Sequence, residues 1–66
     1  MIYGTRAHVW ALGEDDEVYD EDGWQLSLGE GVLTYRDQNG GWFSLPLSRV
    51  LLVDWANKPR TVPGLR

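Results

Sequence analysis

The sequence predicts a small all-β domain: five short strands forming a barrel or a strongly bent antiparallel sheet, with at most one short 3₁₀ turn. Three observations lead to this class. No window of a dozen residues keeps apolar side chains at i, i+3, i+4 and i+7 without a Gly or Pro inside it. Short runs of β-branched and aromatic residues recur, with turn residues between them. Four Trp, three Tyr and one Phe in 66 residues supply the bulk for a core that the chain length would otherwise keep small.

The first strand is "IYGTRAHVWAL", residues 2–12, with Gly4 marking a bulge or bend. The run "GEDDEVYDEDG", residues 13–23, reads as an acidic loop. "WQLSL", residues 24–28, alternates, placing Trp24, Leu26 and Leu28 on one face and Gln25 and Ser27 on the other. "GEG", residues 29–31, is a turn, and "VLTYR", residues 32–36, is the next strand. Asn39-Gly40 in "DQNGG" is a strong hairpin signal, because both residue types tolerate positive φ. "WFSLP", residues 42–46, returns along it.

"LSR", residues 47–49, has the length of one 3₁₀ turn. "VLLVDW", residues 50–55, is apolar on both faces at its start, which predicts a strand that is central or buried on both sides. One domain over 1–56 is followed by an irregular basic tail over 57–66, containing Lys58, Arg60 and Arg66 and broken by Pro59, Pro63 and Gly64. Trp24, Trp42 and Trp55 each open or close a strand, where they would pack as core or cap an end, while Trp10 is the least firmly assigned to the interior.

This order of parts resembles an SH3-like barrel over residues 7–55. "AHVWAL" corresponds to the first strand and "GEDDEVYDEDG" to the long acidic RT loop. "WQLSLGEGVLTYRDQNGGWFSLP" corresponds to the three-strand meander, and "LPLSRVLLVDW" to the Pro, 3₁₀ turn and closing strand. The resemblance is topological and implies a five-stranded barrel. An OB-like barrel and a pleckstrin-like half-barrel are the competing small β architectures, and the second needs a helix this chain does not offer.

Charge narrows the function. The net charge is −4, but residues 1–30 carry one Arg against eight carboxylates, and residues 31–66 carry five basic residues against two Asp. The chain is therefore electrically bipolar, a property that concerns partners more than fold. With a pI near 4.6 and few basic residues, direct nucleic-acid binding is not expected. There is no Cys, which rules out disulfides and thiolate metal sites and fits a reducing compartment. No apolar run reaches the roughly 20 residues that span a bilayer, and the start has no basic-then-apolar leader pattern. A cytoplasmic protein without a membrane role is the expectation.

Catalysis and metal binding are not expected. The one His, His8, lies on a strand with no Cys or Ser motif near it, and catalysis needs a convergent set. A calcium-loop frame on Asp20, Asp22 and Gly23 puts Val18 and Gly29 at its first and last ligand positions, and neither supplies a side-chain oxygen. No cofactor motif is present.

What remains is the acidic run, which has two readings. It is either a solvated loop that resists aggregation, or a steering surface for a basic protein. Val18, Tyr19 and Trp24 are interleaved with the carboxylates, and such aromatics are typical interface anchors. The candidate partner-binding residues are Glu14, Asp15, Asp16, Glu17, Tyr19, Asp20, Glu21, Asp22 and Trp24. The expected function is a non-catalytic protein-interaction module. A phage-encoded, DNA-mimic-like regulator that masks a nucleic-acid-binding protein is the second reading, and a homo-oligomeric structural subunit is the third. The basic tail is also expected to be able to fold back on the acidic loop by charge.

Overall fold

The computed structural model describes residues 1–62. It is an antiparallel sheet of six strands: β1 (Ile2–Leu12), β2 (Val18–Gly29), β3 (Val32–Arg36), β4 (Trp42–Pro46), β5 (Val50–Trp55) and β6 (Arg60–Thr61). One 3₁₀ turn, Leu47–Arg49, joins β4 to β5. The strand order is β4-β3-β2-β1-β5, with β6 pairing only β1. The two ends of this order do not pair, so the sheet is bent rather than closed into a barrel. Pro46 ends β4 without an N–H to extend a ladder. Among the described residues no helix is long and apolar enough to cross a membrane.

Three hairpins set the register. Two have the same plan. In the first, the Gly13 N–H donates to Glu17 O, the Asp16 N–H donates to Gly13 O, and Asp16 is left-handed at φ 61°. In the second, the Asp37 N–H donates to Gly41 O, the Gly40 N–H donates to Asp37 O, and Gly40 has φ 83°. Asp37 Oδ1 also accepts from the N–H groups of Asn39 and Gly41, so an Asp side chain shapes the turn. Of Asn39 and Gly40, which both tolerate positive φ, only Gly40 adopts it. The third hairpin is the two-residue turn Glu30-Gly31, with φ 55° and 77°, between the paired Gly29 and Val32. Its Gly31 carbonyl accepts the Leu47 N–H and so anchors the 3₁₀ turn.

The core is small. Ala7, Val9 and Ala11 of β1 are buried beside Leu26, Leu33 and Tyr35. Leu28, Leu45, Val50, Val53 and Trp55 pack around that cluster. Phe43 stacks on Tyr35 at 5.9 Å between ring centroids. Odd-numbered residues of β1 from Ala7 onward face this core, so Arg6, His8 and Trp10 face outward.

Four expectations change. The segment from Val18 to Gly23 is strand rather than loop, because it pairs with β1 at Leu12↔Val18 through Ala7↔Gly23. Alternation in "WQLSL" is broken by a bulge between Trp24 and Ser27, where Gln25 has φ 54°. β5 is an edge strand, not a central one, and Leu51 and Leu52 are 51% and 56% exposed. Its apolar run reflects a bulge opposite Trp10 and Ala11 rather than burial on both faces.

The tail holds the fourth change and the sixth strand. Arg60 and Thr61 pair with Tyr3 and Ile2, and the Val62 N–H donates to Met1 O at 2.7 Å. Among the described residues, the tail up to Val62 therefore runs at the opposite end of β1 from the acidic turn and makes no contact with it. Pro63, Gly64 and Arg66 lie outside the described residues.

Candidate functional site

The acidic run becomes a hairpin with two parts. Its turn carries Glu14, Asp15, Asp16 and Glu17, all exposed. Asp15 Oδ1 accepts the Glu17 N–H at 3.3 Å. Arg49, from the 3₁₀ turn, braces the base of the hairpin, donating from Nη1 to Gly13 O at 2.6 Å and reaching Leu12 O at 3.5 Å. The tip is thus held to the body of the sheet by a charged donor.

Beyond the turn, strand alternation divides the remaining candidates between two faces. Asp20, Asp22 and Trp24 lie on the outer face, opposite Trp10, His8 and Arg6 of β1. Tyr19 and Glu21 lie on the inner side, opposite the buried Ala11 and Val9. Tyr35 Oη donates to Glu21 Oε2. Burial and this nearby carboxylate push the Tyr35 phenol far above its usual range. Tyr19 is 36% exposed at the rim. Its phenol is also raised, by desolvation first and by Glu21 second, against a lowering effect of Arg49.

The outer face carries a feature that the linear sequence concealed. His8 Nδ1 lies 2.8 Å from Asp22 Oδ1, and its Nε2 lies 2.6 Å from Asp20 Oδ2. Both ring nitrogens meet carboxylates, an arrangement best satisfied by imidazolium, which donates from both. The hydrogen bond to Asp22, then that to Asp20, raise the His8 pKa above its ordinary 6.5. The hydrogen bond from His8 correspondingly lowers Asp22 below 3.8, with the nearby Arg6 guanidinium adding to it and partial desolvation opposing it. Arg6 Nη2 is 3.7 Å from Asp22 Oδ2, and its guanidinium lies over the Trp24 ring at 5.6 Å. The Trp10 ring meets the imidazole edge-on at 4.5 Å.

The arrangement can steer and hold cationic groups. It has no nucleophile set against a base, and among the described residues no group of three His, Cys, Asp or Glu is placed to hold a metal ion. His8 engages the Asp20 and Asp22 carboxylates, whereas those of Glu14, Asp16 and Glu17 make no side-chain hydrogen bond or ion pair among the described residues. Val18, 61% exposed, adds an apolar group next to them.

His8, Trp10, Arg6 and Arg49 join this site only on folding. The first three share register rows with Asp22, Asp20 and Trp24, which only strand pairing reveals. The signal available in the sequence was the i, i+2 spacing of Arg6, His8 and Trp10 against that of Asp20, Asp22 and Trp24. Of the remaining aromatics, Trp55 packs on the core against Gly4, whereas Trp42 is 61% exposed, with Arg36 over its ring at 5.4 Å. No family model, curated protein or solved structure matches this chain.

Proposed function

We propose that this chain is a small non-catalytic interaction module whose β1–β2 hairpin binds a basic protein surface. The observation that carries this reading is the hairpin tip: four exposed carboxylates in consecutive positions, braced by Arg49 and flanked by exposed Val18 and Tyr19. A display of charge complementary to the partner speeds encounter, and apolar side chains beside it supply contact area once the partner has arrived. Reading the fold more finely as SH3-like rests on the order β4-β3-β2-β1-β5 and on the 3₁₀ turn between β4 and β5.

The test compares the native chain with Glu14→Gln/Asp15→Asn/Glu17→Gln as bait in a cell lysate at low and high salt. A basic protein retained by the native chain at low salt, and lost both by the variant and at high salt, is the expected result. The captured protein is then purified and rebound, with and without duplex DNA as competitor, which separates a masking regulator from a simple adaptor. Equal retention by both baits overturns the hairpin as the binding surface.

A further inference from the structure

The basic half of the chain also becomes a surface on folding. Gln25, left-handed at φ 54°, and Thr5 opposite it drop out of the β1–β2 register and leave a depression. One lobe, of about 680 Å³, is lined by Tyr3, Gly4, Thr5, Asn57, Lys58 and Arg60 along with Gln25 and Leu26. A second lobe, of about 550 Å³, shares Thr5 and Gln25 and adds Trp24 and Arg36. Asp37 also lines it, but its Oδ1 is taken up by the backbone of its own turn. Among the described residues, no ion pair engages Arg36, Lys58 or Arg60.

We propose that this groove receives the acidic hairpin tip of a second copy, so that the chain associates head to tail. The tip and the groove sit at opposite ends of β1. Tyr3, which pairs Arg60, and Leu12, at the base of the hairpin, are nine residues apart, about 30 Å of strand. The charges of the tip and of the groove therefore do not meet within one molecule, whose longest dimension is 38 Å. They meet between two. Lys58, Arg60 and Arg36 face the carboxylates of Glu14, Asp15 and Glu17, while Val18 and Tyr19 meet the Tyr3 and Trp24 rings. Such a contact is heterologous, because each copy contributes a different surface. It uses the same hairpin as the function proposed above, but adds a second surface with its own variants.

Heterologous geometry makes the test decisive. Two neutralised variants are made: Lys58→Gln/Arg60→Gln in the groove and Glu14→Gln/Asp15→Asn/Glu17→Gln at the tip, each checked for native far-UV circular dichroism. Sedimentation velocity at low salt should show the native mass rising with concentration and returning to monomer at high salt. Each variant alone should associate more weakly by at least about tenfold, the scale expected when an interfacial charge pair is lost. Their equimolar mixture should form a complex of two chains that grows no further, since each partner keeps one working surface.

A native chain that stays monomeric at low salt overturns the proposal, as does association that both variants retain. So does a short single-stranded oligonucleotide that binds the native monomer and not the groove variant. Poly-L-lysine separates this proposal from the function above. The groove variant should bind it as the native chain does, so loss of self-association with retained poly-L-lysine binding leaves the hairpin reading standing.

Discussion

The His8 imidazole lies 2.8 Å from the Asp22 carboxylate through Nδ1, across the β1–β2 ladder at a directly paired position. The pair links protonation to hairpin stability, and each member sets one side of the pH window. His8 has a raised pKa when folded, so its contribution is complete below 6.5 and is lost as pH rises through the folded value. Asp22 has a lowered one, so its contribution is present above 3.8 and is lost as pH falls through its folded value. The pair therefore stabilises most between those two ordinary values. Thermal melts of the native chain and His8→Gln across pH should differ most within that window, and the gap should narrow above 6.5. A gap independent of pH would mean that His8 acts by packing on Trp10 alone.

Gly23 is buried because the Tyr35 ring occupies the space a side chain would take. A Cβ at position 23 would stand 2.8 Å from Tyr35 Cδ2. Gly23→Ala must move a fully buried ring that also stacks on Phe43, at a cost of about 1–3 kcal/mol. For a domain of this size that lowers Tm by roughly 4–8 °C per kcal/mol. Calorimetry on the variant measures it, and an unchanged Tm would show that the ring relocates freely.

Tyr35→Phe isolates the hydroxyl that meets Glu21. The ring packing is retained, while the carboxylate loses its buried donor. The expected loss is about 1–3 kcal/mol, the range for stranding one partner of a charge-assisted hydrogen bond. Urea unfolding of Tyr35→Phe, Glu21→Gln and the double variant gives the coupling as a cycle. Additive losses would remove the interaction from this account.

Arg49 couples the 3₁₀ turn to the base of the acidic hairpin through the carbonyls of Gly13 and Leu12. Arg49→Ala should cost about 1–2 kcal/mol and free the tip locally. Amide hydrogen exchange should then speed at Gly13 and Asp16, whose N–H groups close the turn, and stay unchanged in β3. Uniform acceleration would mark Arg49 as a global rather than a local brace.

Much of the fold is legible in the linear chain. Ile2–Leu12, Val32–Arg36, Trp42–Pro46, the 3₁₀ turn at Leu47–Arg49 and Val50–Trp55 have the limits their composition predicts. β1, β3 and β4 end at Gly13, Asp37 and Pro46, and those signals are local. The start of β2 is not legible, because "VYDEDG" has few strand formers. Its extended form comes from pairing with β1, from Leu12↔Val18 to Ala7↔Gly23, with the Asp20 and Asp22 carboxylates on the His8 ring.

The candidate site divides along the same line. The presence of an acidic segment with Tyr19 and Trp24 inside it, and the bipolar charge of the chain, belong to the sequence alone. Which carboxylates face outward belongs to the tertiary structure. Register sends Glu21 inward to Tyr35, sets Asp20 and Asp22 on His8, and leaves Glu14–Glu17 exposed at the turn. The edge position of β5, and the placing of Lys58 and Arg60 at one depression and of Arg36 at another that shares Thr5 and Gln25 with it, were likewise decided only on folding. Composition and turn chemistry act between near neighbours in the chain. Facing, edges and grooves arise from pairings between residues far apart in sequence, where a shift of one position would turn every side chain to the other face.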